Sequence, residues 1–236
     1  KQNNNQITFF NTSKEDFEKI WTSYFDLDRD YSVIKSYLKK IDPIMEKAIN
    51  FAGGIRILNQ DPWECLISFI ISQNNRIPMI KQVIKNISES FGQPIDKYYS
   101  FPKPEHLLNI SEEELMKCKT GFRAKYIIDA TKKVCSEEID LYNISNLSTT
   151  DLRDSLMKIK GVGPKVADCV MLFSMSKQDA FPTDVWVKRV MQHFYFDNKE
   201  TSLKVIQSFA DSHFGELAGF AQQYLFHYAR QMKVGA

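Results

Sequence analysis

Apolar residues recur three and four positions apart through most of the chain, the period of an amphipathic helix. Ser13 and Asp16 form a shortened capping box ahead of Phe17, Ile20, Trp21 and Phe25. Helices are predicted next over Tyr31 to Lys39 and Pro43 to Phe51, the second stopped by Gly53-Gly54. Asp61-Pro62 supplies an N-cap and a first-turn proline for a helix running to about Gln73. Its apolar residues lie all round, which predicts a central, buried element. Pro78 to Phe91 reads as amphipathic and ends at Gly92, and Pro102-Lys103-Pro104 marks a loop. Ser111-Glu112-Glu113-Glu114 opens a short helix, and Arg123 to Cys135 places Tyr126, Ile127, Ala130 and Val134 on one face. Ser148 to Ile159, Pro164 to Met175, Asp184 to Tyr195, Leu203 to Phe214 and Leu217 to Gln231 complete the helices. The one clear strand signal is Ile7 to Phe10. The fold class is therefore mostly α, with short loops and no repeat of fixed period.

Composition narrows the function classes. At 236 residues the chain is one large domain or two small ones. With 43% hydrophobic and 25% charged residues it is not disordered. The longest apolar stretch, Cys65 to Ile71, falls far short of the ~18 residues of a membrane span. The net charge of 31 − 29 = +2 is too small for nucleic-acid binding by bulk charge, so any such partner needs a local site. Cys65, Cys118, Cys135 and Cys169 show no metal-ligand spacing and read as free thiols in a reducing compartment. The polar start, Lys1 to Gln6, has no apolar leader core, so a cytoplasmic or nuclear protein is expected and secretion is not. The first residue is Lys1 rather than Met, as in a fragment.

The most informative stretch is Ile159-Lys160-Gly161-Val162-Gly163-Pro164-Lys165-Val166-Ala167-Asp168. One helix ends at a glycine, and a second glycine leads into a helix with proline in its first turn. Such a hairpin offers unpaired N–H groups and a positive dipole end to one backbone phosphate. An ordinary αα-corner fits the glycines as well. Lys165 breaks a local rule, because a cation in the first turn opposes the macrodipole. It reads as a phosphate ligand, as a solvated surface lysine, or as an amine whose proton is penalised by the dipole and partial burial, which makes it a nucleophile. Nineteen residues on (184 − 165), Pro182-Thr183-Asp184 precedes an apolar helix. Asp184 is either a plain N-cap, worth ~1 kcal/mol, or a fixed carboxylate facing a developing positive charge.

Gly161-Val162-Gly163 with Lys165, then Pro182 and Asp184, resemble the signature of the helix–hairpin–helix DNA glycosylase superfamily. Over most of the chain the resemblance is to its 8-oxoguanine DNA glycosylase family. Asp61 to Cys65 through Ser72 to Asn75 resemble that family's buried helix and Asn-rich loop. Gly121 to Tyr126 resemble its wedge loop, and Ala218 to Gln222 with Phe226 its base pocket. The resemblance implies a two-lobed helical fold that flips a damaged purine out of duplex DNA. Lys165 would attack C1′, and β-elimination would nick the strand. Asp184 would stabilise the charge on the sugar. Cys169 and Phe226 would sandwich the purine, and Gln222 would read its edge. Asn74 would line the vacated gap, with Phe122 as wedge and Arg123 on the orphan base. Gly161, Val162, Gly163 and Trp186 would meet the DNA backbone. The carbonyls of Met157, Ile159 and Val162 would hold a structural cation, with no catalytic metal or organic cofactor. The partner would be double-stranded DNA containing oxidised guanine, with no membrane, and the protein is expected to be a monomer.

The implied organisation is a remnant of an N-terminal β domain over residues 1–12 and a helical core over 13–236. Lobe one covers about 62–147; lobe two joins 13–61 to 148–236, with the hairpin at 148–175. From Lys158 to Val190, six basic residues stand against three acidic ones, a local +3 suited to phosphates. Three departures from the family stand out. Met79 replaces an arginine that meets the opposite cytosine. Trp186 replaces a histidine. The N-terminal β domain is reduced to about Lys1 to Phe10, without the glycine whose carbonyl senses the lesion. The alternatives left open are a glycosylase for another purine lesion and a non-catalytic DNA-binding helix–hairpin–helix module.

Overall fold

The computed structural model describes residues 2–3, 6–143 and 147–234. Two antiparallel hairpins of two-residue strands are its only sheets among the described residues: β1 (Gln2–Asn3) with β2 (Gln6–Ile7), and β3 (Pro94–Ile95) with β4 (Tyr98–Tyr99). Of the expected N-terminal remnant, Lys1, Asn4 and Asn5 lie outside the described residues. The strand expected over Ile7 to Phe10 is corrected: Ile7 pairs with Gln2, and Thr8 to Phe10 leave the ladder. Phe9 packs instead against Phe17 and Phe25, with ring centroids 5.2 and 5.4 Å away. Aromatic packing overrides a short β signal here.

The first helical stretch is irregular. α1 (Lys14–Asp16) runs through a π-helical turn, Phe17–Trp21, into α2 (Thr22–Tyr24). Its start is the expected capping box: Asp16 N–H donates to Ser13 Oγ at 3.0 Å and Ser13 N–H to Asp16 Oδ2 at 3.2 Å. The remaining helices are α3 (Tyr31–Lys39), α4 (Pro43–Phe51), α5 (Pro62–Ser72), α6 (Ile77–Phe91), α7 (Pro104–Leu107), α8 (Glu112–Lys117), α9 (Ala124–Cys135), α10 (Thr149–Leu156), α11 (Pro164–Ser174), α12 (Val185–Tyr195), α13 (Leu203–Phe214) and α14 (Ala218–Gln231). Pro104, expected in a loop, opens α7, where its missing N–H is harmless. α10 stops short of Ile159 because its end tightens: Lys158 and Ile159 donate to carbonyls only three residues back.

α5 forms the middle of the molecule. Trp63, Cys65, Leu66, Ile67, Ile70 and Ile71 are all buried, as its all-round apolar pattern predicts. It packs against α11 on one side and against α6 and α9 on the other. α7 and α8 close on α9; α10 lies along α11, while α3, α4, α12 and α13 gather around α14. The buried residues form one continuous core. At Gly219 a Cβ would lie 2.3 Å from Leu172 Cδ1, and its N–H donates to the Gln178 carbonyl at 2.7 Å. Only glycine lets α14 approach α11 this closely.

Candidate active site and nucleic-acid interface

The hairpin between α10 and α11 is built as its glycines require. Gly161 takes φ +79, and a Cβ there would meet the Tyr126 ring of α9 at 2.5 Å. Lys160 N–H donates to Asp129 Oδ2, also on α9, at 2.8 Å. The turn closes on Val162 N–H donating to the Ile159 carbonyl at 3.0 Å. Of the other two residues in the expected cation set, Met157 precedes that turn and Val162 ends it. Gly163 has ordinary extended geometry, and a Cβ on it would meet nothing within 4 Å. It is the N-cap of α11 without a side chain to cap it, so no capping side chain satisfies the first N–H groups of α11. Beneath the hairpin, Arg153 of α10 pairs at 2.6 Å with Asp168 of α11, which is buried. Burial pushes the Asp168 carboxyl up and Arg153 pulls it back.

Lys165, in the first turn of α11, lines a cleft of about 690 Å³ together with Asn74, Gly163 and Asp184. The lysine is half-buried, with Nζ over the Phe69 ring at 5.2 Å from its centroid. Phe69 is backed by Phe173, stacked at 5.7 Å. Asp184 caps α12: its Oδ1 accepts from Val187 N–H at 2.7 Å, which fixes the carboxylate on the cleft wall. One turn along α11, Cys169 is buried close to Lys165. Burial pushes its thiol up to about 12, against the pull of Lys165. At neutral pH the thiol is therefore protonated.

Gln222 and Phe226, one turn apart on α14, are not on the wall of this cleft. They are tied to the Asp184 segment instead. Buried Gln222 donates through Nε2 to the Pro182 carbonyl at 3.2 Å and accepts from Gln223 at 2.6 Å. Phe226 meets Trp186 edge to face at 4.6 Å. Trp186 is thus half-buried against a base-pocket candidate.

Asn74, Phe122 and Arg123 come together. Asn74 is exposed with φ +47 just after α5. Phe122 is 50% exposed on a 3-10 turn, Gly121–Arg123, against Tyr126. Arg123 is buried, and its guanidinium bonds backbone carbonyls of Gln73, Asn74 and Thr120. Met79 stands exposed in the first turn of α6. The cleft also takes Arg153, Thr183, Leu203, Lys204 and Gln207, which sequence reasoning missed. Lys204 carried the same signal as Lys165, a cation in the first turn of a helix. Among the described residues no group of three or more His, Cys, Asp or Glu could hold a metal, and no helix is long and apolar enough to cross a membrane.

An uncapped helix–hairpin–helix whose second helix carries a lysine into a cleft shared with a capping carboxylate defines a class of DNA-handling protein. Comparison with known proteins places the chain within it. Residues 67–212 match the model of the HhH-GPD superfamily of base excision DNA repair proteins, and residues 1–66 match that of the 8-oxoguanine DNA glycosylase N-terminal domain. The chain belongs to the 8-oxoguanine DNA glycosylase family of the HhH-GPD superfamily. It is 31% identical to the "Probable N-glycosylase/DNA lyase" of Methanothermobacter thermautotrophicus, over 93% of this chain and 76% of that protein. Among solved structures, MBOgg1 in complex with a low affinity DNA ligand is 56% identical, with TM-score 0.90 over 94% of this chain and 78% of the other. The 8-oxoguanine glycosylase/lyase of Clostridium acetobutylicum, in complex with dsDNA containing cytosine opposite to 8-oxoG, is 48% identical, with TM-score 0.89 over 95% and 78%.

Proposed function

We propose that this protein excises 8-oxoguanine from double-stranded DNA and nicks the strand, with Lys165 as nucleophile. The observation that carries the reading is the placement of Lys165 and Asp184 on one cleft at the uncapped start of α11. A phosphate at the free N–H groups beside Gly163 brings the sugar of an extruded nucleotide to Lys165. The lone pair of Lys165 Nζ bonds to C1′ as the C1′–N9 bond breaks; that electron pair leaves with the purine, which takes up a proton. The Asp184 carboxylate stabilises the positive charge growing on the sugar. Loss of the amine proton and opening of the C1′–O4′ bond give an imine. Removal of a 2′ proton then expels the 3′ phosphate and breaks the strand. A non-catalytic module needs neither Lys165 nor Asp184.

The purine is held between Cys169 and Phe226, with Gln222 on its edge. Gln222 exchanges its bonds to Pro182 and Gln223 for the base, its amide offering both donor and acceptor. Extrusion costs a few kcal/mol. Stacking on exposed Phe122 offsets ~1–3 kcal/mol of that. Met79 offers no hydrogen-bond donor to a base edge, so excision should depend little on the base opposite the lesion. Rates that fall steeply when cytosine is exchanged for adenine would refute this. The protein works wherever the genome is held, nucleoid or nucleus, as a monomer.

The test is a borohydride trap with a duplex carrying 8-oxoguanine. The native protein should form a covalent adduct, and Lys165→Gln should form none. An adduct of undiminished yield with Lys165→Gln would remove Lys165 from the mechanism. No adduct with the native protein would favour the DNA-binding module.

A further inference from the structure

We propose that Asp129 is a positioning residue that, from α9, fixes the backbone of the hairpin between α10 and α11 where it meets a DNA phosphate. The inference rests on the phosphate reading of that hairpin given above. Tyr126, Asp129 and Lys133 lie on one stripe of α9 and meet three hairpin residues in reverse order. The Tyr126 ring fills the space that a Cβ on Gly161 would take. Asp129 Oδ2 accepts from the Lys160 backbone N–H at 2.8 Å. Lys133 Nζ donates to the Lys158 carbonyl and pairs with Asp129 Oδ2 at 3.2 Å. Only 15% of the Asp129 side chain is exposed, and 19% of Lys133. One carboxylate and one ammonium thus satisfy a donor and an acceptor of hairpin backbone that lies beyond the end of α10.

The charges show that the role is position rather than attraction. A carboxylate beside a phosphate site opposes DNA binding through space. Here its oxygens are directed to the protein. Oδ2 takes the Lys160 N–H and Lys133, and Oδ1 stands 3.8 Å from Lys160 Nζ. That last pair is loose, with the Lys160 side chain 74% exposed, and contributes little. The bond to backbone is what the carboxylate provides. The turn's own closing bond, Val162 N–H to the Ile159 carbonyl, sets its shape; Asp129 sets where that shape stands on α9. Gly163 and the uncapped start of α11 follow directly, so a shift of the turn carries the phosphate site with it.

Affinity for a duplex carrying a tetrahydrofuran abasic analogue, which the protein can hold but not nick, tests this. Asp129→Ala should weaken binding on the order of 10-fold, the scale of one hydrogen bond to a charged group, although it makes the chain more positive. Asp129→Asn keeps an oxygen acceptor for the Lys160 N–H and should stay much closer to native. The loss in Asp129→Ala should fall on affinity more than on the single-turnover excision rate at saturating protein, because Lys165 and Asp184 keep their places. Tighter or unchanged binding by Asp129→Ala would overturn the proposal and leave the carboxylate as a through-space charge. Equal losses in Asp129→Ala and Asp129→Asn would overturn it as well. A merely destabilised chain would show a smaller active fraction on titration with the native Kd, and that result also counts against it. Native affinity in Gly163→Ala, whose Cβ meets nothing in the protein, would instead refute the phosphate reading of the hairpin itself.

Discussion

Two helices open onto the same cleft with a lysine at their second position. α11 begins Pro164-Lys165 and α13 begins Leu203-Lys204. Both lysines oppose a macrodipole. Their surroundings differ. Lys165 is half-buried over Phe69, close to Cys169, and shares the cleft wall with Asp184. Lys204 is exposed and makes no ion pair or side-chain hydrogen bond among the described residues. The helix starts differ too. Ser202 caps α13, accepting from Val205 N–H at 3.3 Å, whereas Gly163 leaves α11 uncapped. The same sequence irregularity thus gives a half-buried amine in one place and a solvated cation in the other. An aromatic face, a neutral thiol and a fixed carboxylate surround only the first, the one proposed above as nucleophile.

Substitutions can break this contrast. The largest effect should come from Lys165→Gln, with excision lost by ~10³-fold or more, the scale of removing a nucleophile. Lys204→Gln in the same assay should stay near native. Equal losses would erase the distinction. Next is Asp184→Asn, expected to lose ~10²–10³-fold in the chemical step. Asparagine caps a helix about as well as aspartate, so the thermal midpoint should hold. A large drop in midpoint would reduce Asp184 to a cap. Lys204→Gln should weaken duplex binding a few-fold and lower the salt slope by about one. An unchanged slope would show that Lys204 meets no phosphate. The smallest effect concerns pH. Burial holds the Cys169 and Cys65 thiols up at about 12. Unfolded thiols ionise near ~8.5. Above that pH the unfolded chain loses protons that the native protein keeps, so stability should fall as pH rises. Urea midpoints at rising pH check this, and Cys169→Ala should flatten the decline.

The helices were legible because their caps and periods are local. The Ser13–Asp16 box, the Asp61 cap of α5 and the Gly161–Gly163 hairpin all stand where local chemistry puts them. Lys165 and Asp184 were legible as irregularities at two helix starts, and both line one cleft. What could not be read is what depends on pairing across the chain. Phe9 abandoned a strand for an aromatic cluster built from the first helical stretch. The β3–β4 hairpin has exposed side chains and no alternation to betray it. The Arg123 bonds reach about fifty positions back along the chain, a separation that no local rule spans. Phe69 and Phe173 gave only a core signal, yet they form the surface under the amine.

The hairpin leans on α9 through Gly161 against Tyr126 and through Lys160 on Asp129. The turn that carries Phe122 runs directly into that same helix. On the function proposed above, the anchor for the sugar–phosphate chain and the probe that enters the stack are therefore mounted on one helix. Their spacing is set in protein, so the yielding must happen in the double helix. A step that unstacks cheaply, next to a damaged or mispaired base, fits that spacing sooner than sound sequence does. On that reading the first selection is mechanical, and it precedes any reading of chemical groups.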